Sequence, residues 1–81
     1  MSQIKEYDVV ALIEDVRAIH KETGQPILLR RGQVGTVVMA FDRKAFLIDF
    51  SDSKGITYAM ETLPANKLMH LIYEPTEVYA E

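Results

Sequence analysis

The chain has 81 residues, 48% hydrophobic and 26% charged, with a formal net charge of −3 and no cysteine. That length suits one small domain, and that composition is too apolar for a disordered chain. Disulfides, thiolate metal sites and a cysteine nucleophile are excluded, and the acidic balance argues against a domain that lives by neutralising phosphates.

The opening "MSQIKEYD" is polar and lacks the apolar stretch of a secretory signal. No apolar run approaches the ~20 residues needed to span a bilayer. With the absence of cysteine, these features lead us to expect a cytoplasmic protein with no membrane association.

"YDVVALIED" (Tyr7 to Asp15) is short and β-branched and reads as a strand. Alternation places Tyr7, Val9, Ala11 and Ile13 on one wholly apolar face, expected inward. Asp8, Val10, Leu12 and Glu14 fall on the other, expected outward. A helix is the rival reading, because Val9, Leu12, Ile13 and Val16 also lie at helical spacing.

Val16 to Gly32 is a long, mixed-charge excursion. Pro26 forbids a central strand there. The segment reads as a hairpin, out along "VRAIH", turning at "KETG" and returning along "PILL". Long connections of this kind in compact domains often carry function.

"VGTVVMAF" (Val34 to Phe41) follows as a β-rich run, broken by "DRK". "AFLIDF" alternates cleanly, with Phe46, Ile48 and Phe50 on one face and Leu47 and Asp49 on the other. "SDSKG" supplies turn chemistry, Gly55 being suited to a positive φ. "ITYAMETL" alternates again, "PANK" suits one 3₁₀ turn, and "LMHLIY" reads as the closing strand. "EPTEVYAE" is an acidic tail with Val78 and Tyr79 as its apolar anchors.

Five short strands, one long loop after the first and a 3₁₀ turn before the last describe an all-β domain. At this length an SH3-like, partly open five-stranded barrel is the economical architecture, because curling shelters strand edges. The expectation is a single domain over residues 1–81, with its core at about 5–73 and a polar tail at 74–81.

The succession of Tyr-Asp-Val-Val-Ala-Leu at Tyr7–Leu12 and Leu-x-Arg-Gly-x-Val-Gly-Thr-Val-Val at Leu29–Val38 resembles a family of small bacterial proteins classed as a domain of unknown function. The Phe46–Phe50 strand, the Gly55 turn and the Leu63–Leu68 ending extend the likeness over about four-fifths of the chain. The Gly-x-x-Gly-Thr-Val element is more distantly similar to other SH3-like barrels: ribosomal and transcription-factor modules, the nitrile hydratase β-subunit and ferredoxin-docking subunits. Those relatives imply the fold and disagree about function. The excursion at 17–28 and the tail set this chain apart from the family's shortest members.

The glycines of "RRGQVGTVV" lack the longer pattern, the lysine and the following helix of a phosphate loop. Gly32 is therefore expected to turn the chain, and Gly35 to permit a bulge or a close backbone approach. Arg30 and Arg31 stand before the strand 34–41, and Arg43 and Lys44 after it. At ~3.3 Å per residue that strand spans roughly 26 Å, so the pairs form no single patch. Arg31 could pair with Asp8 or Glu14. His20 and Glu22 offer two metal ligands where a closed site wants about four. His70 sits in the last strand, facing away from Met69 and Leu71.

No nucleophile stands near a base in sequence, and Asp49 with Glu61 across adjacent strands would more readily hydrate than catalyse. No enzyme, cofactor or metal is expected. Val10, Leu12 and Leu47, bordered by Asp8, Glu14 and Asp49, are expected on an outward apolar patch, either a protein-docking surface or one covered internally by the long loop or the C-terminal tail. A bulge at Gly35 would leave the face of Met39 open.

The expected function is a non-enzymatic protein-binding module, such as an antitoxin, immunity-type or accessory partner of a neighbouring gene product. Arg30, Arg31, His20, Glu22, Arg43 and Lys44 are the candidate partner contacts, and self-association is compatible with this reading. The alternatives are a nucleic-acid-binding barrel resembling ribosomal modules, which the charge disfavours, and a small docking subunit of an electron-transfer or enzyme complex.

Overall fold

A computed structural model describes residues 4–73. Its elements in chain order are β1 (Val9–Leu12), β2 (Val16–Ile19), β3 (Pro26–Leu29), β4 (Val34–Phe41), β5 (Ala45–Ser51), β6 (Thr57–Pro64), a 3₁₀ turn (Ala65–Lys67) and β7 (Leu68–His70). The tail at 74–81, with Val78 and Tyr79, lies outside the described residues. No helix among the described residues is long and apolar enough to cross a membrane.

Five strands form one antiparallel sheet in the order β6-β5-β4-β1-β7, and among the described residues it does not close, since β6 and β7 are its edges. The excursion is a second, two-stranded sheet, β2 paired with β3 from Val16↔Leu29 to Ile19↔Pro26. The expected all-β architecture, the hairpin within the excursion and the 3₁₀ turn before the last strand are all present.

The core lies between the five-stranded sheet and this hairpin. Phe46, Ile48 and Phe50 of β5 are fully buried, as their alternation predicts. Each such side chain contributes about 1.5–3 kcal/mol by leaving water. Val37, Ala59, Leu63 and Leu68 add to them from the sheet, and Val16, Ala18 and Leu29 reach in from the hairpin. The excursion is thus a wall of the core rather than a loop laid over it.

β1 corrects the expected parity. Val10 and Leu12 are 1% and 2% exposed, whereas Tyr7 is 80% and Ile13 42% exposed. The strand proper is only Val-Val-Ala-Leu, apolar at every position, and so carries no alternation of its own. Tyr7 stands before it with φ 73°, outside extended geometry. Val10 faces Gly35 across the sheet, and the space beside Gly35 on the inward side is filled by Ile48 and Phe50.

β4 corrects the expected bulge. Its register against β5 slips between Val37 and Met39, not at Gly35. Val38 and Met39 consequently both face outward, and Ala40 rather than Met39 returns to the face of Phe46. Gly35 lies within the strand, buried, and provides the close approach that was the other half of its expectation.

Candidate functional site

The excursion begins and ends on turns held by side chains. At its tip His20 Nδ1 accepts hydrogen bonds from the backbone N–H groups of Glu22 (3.2 Å) and Thr23 (3.3 Å). Thr23 Oγ1 accepts from Gln25 N–H, and Gly24 closes the turn with φ 71°. The nitrogen of His20 that faces Glu22 is therefore occupied by the turn, and the two side chains do not form a ligand pair. No cluster of three or more His, Cys, Asp or Glu able to hold a metal exists among the described residues.

At its base, Gly32 has φ 92°, the left-handed conformation that a glycine adopts freely, and it turns the chain into β4. Gly55 does the same between β5 and β6, with φ 80°. Arg31 N–H donates to Asp15 Oδ1 at 2.8 Å, and Arg30 Nε lies 3.8 Å from the same oxygen. The partner is thus Asp15, not Asp8 or Glu14, and it meets the backbone of Arg31 rather than its guanidinium. Asp8 faces His70, and Glu14 stands in the turn after β1. Both guanidinium groups remain presented to solvent, and the exposed Arg30–Asp15 contact contributes little.

Arg43 and Lys44 sit at the other end of β4, as the strand length predicts. Phe41 and Lys44 flank a two-residue turn in which Asp42 (φ 52°) and Arg43 (φ 61°) both occupy the left-handed region, closed by Lys44 N–H to Phe41 O at 3.0 Å.

Asp49 and Glu61 are not brought together. Asp49 stands opposite Met60 on the outer face, and Glu61 opposite Ile48 on the inner one. Asp49 accepts from Thr57 Oγ1 (2.8 Å) and Ser51 Oγ (3.1 Å). Glu61 Oε2 accepts from Ile19 N–H at 3.2 Å, and Lys21 N–H donates to Tyr58 O at 2.8 Å, so β2 is moored along β6.

Two further pairings carry no signal in the linear sequence. Gln33 Nε2 donates to Tyr58 Oη beneath the hairpin. Burial, and then the Asp52 carboxylate, push the Tyr58 phenol above its ordinary pKa of 10.0. His70 Nε2 lies 3.3 Å from Asp8 Oδ2, joining the edge strand to the residue before β1. As expected, His70 faces opposite to Met69, which is 54% exposed. Its Nδ1 is buried with no hydrogen-bond partner among the described residues.

The outward apolar patch exists, but with different members. Val10 and Leu12 are core, while registry puts Met39 and Phe41 on the outer face beside Leu47, and Val34 and Met69 in one row with Ala11 toward the other end of that face. Met39, Phe41, Val34 and Met69 are between 43% and 54% exposed, and Val38 beside Met39 is 37% exposed. Asp49 is the one carboxylate that the strands place among them.

A family model described as "Domain of unknown function (DUF4926)" matches residues 6–70. No curated protein and no solved structure matches the chain.

Proposed function

We propose that this chain, which belongs to the DUF4926 family, is a non-enzymatic protein-binding module built on an SH3-like open barrel. The observation that carries the reading is the outer sheet face, where Val38, Met39 and Phe41 of β4 stand exposed beside Leu47 of β5, with Val34 and Met69 on the same face beyond Thr36. Contiguous apolar surface held on a rigid sheet is what a protein partner covers, and isolated exposed hydrophobics do not make such a face. The SH3-like reading is supported by the neighbouring first and last strands and by the hairpin that follows β1.

Within this class, the acidic net charge suits a partner with a basic surface, as for an antitoxin, immunity-type or accessory protein encoded beside its target. The test pairs affinity capture from native lysate with size-exclusion chromatography. The wild type should hold a reproducible partner that the double variant Met39→Asp, Phe41→Asp loses while keeping its fold. A lone monomer without a partner would overturn the reading. So would tight RNA or DNA binding that weakens steeply with salt, which would favour the nucleic-acid alternative.

A further inference from the structure

We infer that the free edge of β3 is a docking edge, and that its occupant is an extended acidic–apolar segment of a protein partner, added there as a further strand. This rests on the protein-binding reading above and adds to the outer sheet face a second contact on the hairpin, where the local charge is opposite in sign to that of the whole chain.

The backbone sets the edge. Ile19 N–H donates away from β3, to Glu61, and Lys21 N–H likewise goes to β6. His20 N–H, one residue on, donates across the hairpin to Gln25 O at 2.8 Å. Alternation along an antiparallel pair then fixes the rest. Ala18–Ile27 and Val16–Leu29 exchange the ladder hydrogen bonds, and Arg17 and Ile19 turn their backbone groups toward β6. Opposite them, Pro26 and Leu28 turn theirs outward. Among the described residues β3 has β2 as its one strand neighbour, so within them the Leu28 N–H and C=O and the Pro26 C=O are left without ladder partners.

Side chains supply the selectivity. A groove of about 380 Å³ lined by Arg17, Pro26, Ile27 and Leu28 lies at this edge. Leu28 and Ile19 are each 52% exposed, so alternate apolar side chains of an added strand have surface to cover. Arg17 forms no ion pair among the described residues.

Charge fixes the sign of the occupant. Residues 16–33 carry Arg17, Lys21, Arg30 and Arg31 against Glu22 alone, a formal +3 in a chain of −3, which leaves −6 for the remainder. The hairpin is the basic pole of an acidic molecule. An acidic strand is drawn to it and repelled elsewhere, which steers both encounter and register.

Linear peptides displayed on phage and panned against the full-length protein provide the probe. Enriched sequences should alternate Asp or Glu with aliphatic residues. In isotope-labelled protein the selected peptide should shift the amides of β3 and slow exchange at Leu28. Arg17→Glu should weaken binding about tenfold or more, the loss of one charge-assisted contact. Leu28→Pro removes the edge N–H without touching the β2–β3 ladder and should abolish binding. If that variant fails to fold, Arg17→Glu decides. Enrichment of basic or uncharged peptides, or of none, would overturn the inference, and Pro26 with the flanking arginines would then be devices that keep strands off the edge. Peptides that shift Met39 and Phe41 instead would also overturn it while leaving the protein-binding reading intact.

Discussion

Gly35 and Ile48 are in contact through a side chain that is not there: a Cβ at position 35 would stand 2.5 Å from Ile48 Cγ2 and 3.0 Å from Phe50 Cε1. Both neighbours are fully buried, so neither can retreat into solvent. Gly35→Ala should destabilise by about 1–3 kcal/mol, the usual cost of overpacking a filled core, and Gly35→Val by more. Denaturant unfolding monitored by circular dichroism measures it, and an unchanged midpoint for both variants would refute the packing role.

The turn at Asp42–Arg43 predicts the opposite sign. Both residues hold positive φ, where a side chain costs roughly 1 kcal/mol and Asn-Gly is the favoured pair. Asp42→Asn with Arg43→Gly should raise stability by about 1 kcal/mol, read as a higher melting temperature. Should the double variant also lose the captured partner, Arg43 belongs to the contact surface and its strain is kept for that use.

Glu61 tests how firmly the excursion is moored. Glu61→Ala leaves Ile19 N–H without its acceptor, which should cost about 1 kcal/mol. Hydrogen exchange should quicken in residues 16–29 before it does in β4 and β5, since local opening of the hairpin precedes global unfolding. Uniform quickening throughout would show the mooring to be global.

Tyr58 gives an alkaline signature. Its phenol is held above the ordinary value, so the folded state retains a proton that the unfolded chain would release. This contribution is fully present below pH ~10 and is lost as pH rises through the folded-state value. Absorbance titration should show one phenol ionising late, and Tyr58→Phe should remove that component. Asp52→Asn should bring it nearer its normal value.

What could be read in advance was whatever repeats within a few residues. The Phe46–Ile48–Phe50 face, the turn at Gly32, the positive φ of Gly55, the hairpin turning at "KETG" and the separation of Arg30–Arg31 from Arg43–Lys44 all follow from local spacing. What escaped depends on register across strands. β1 offers no alternation to orient it, so Val10 and Leu12 were assigned to solvent. Asp15, Asp49 and Glu61 find partners set by the turn before β4, by the pairing of β5 with β6 and by the hairpin lying along β6. Arg17 and Leu28 drew no notice, because an unpaired edge is a property of neighbours rather than of composition.

That slip has a consequence for how such a surface can change. Because Val38 and Met39 both stand on the outer side, Phe41 also lies outside and Ala40 inside. Deleting Val38 would close the bulge without exchanging those addresses: the shortened strand alternates plainly from Val37, so Met39 and Phe41 stay outside opposite Leu47 and Ala45, and Ala40 stays inside opposite Phe46. The bulge is thus slack in heredity, a place where one codon can be lost while the sheet keeps the same apolar face.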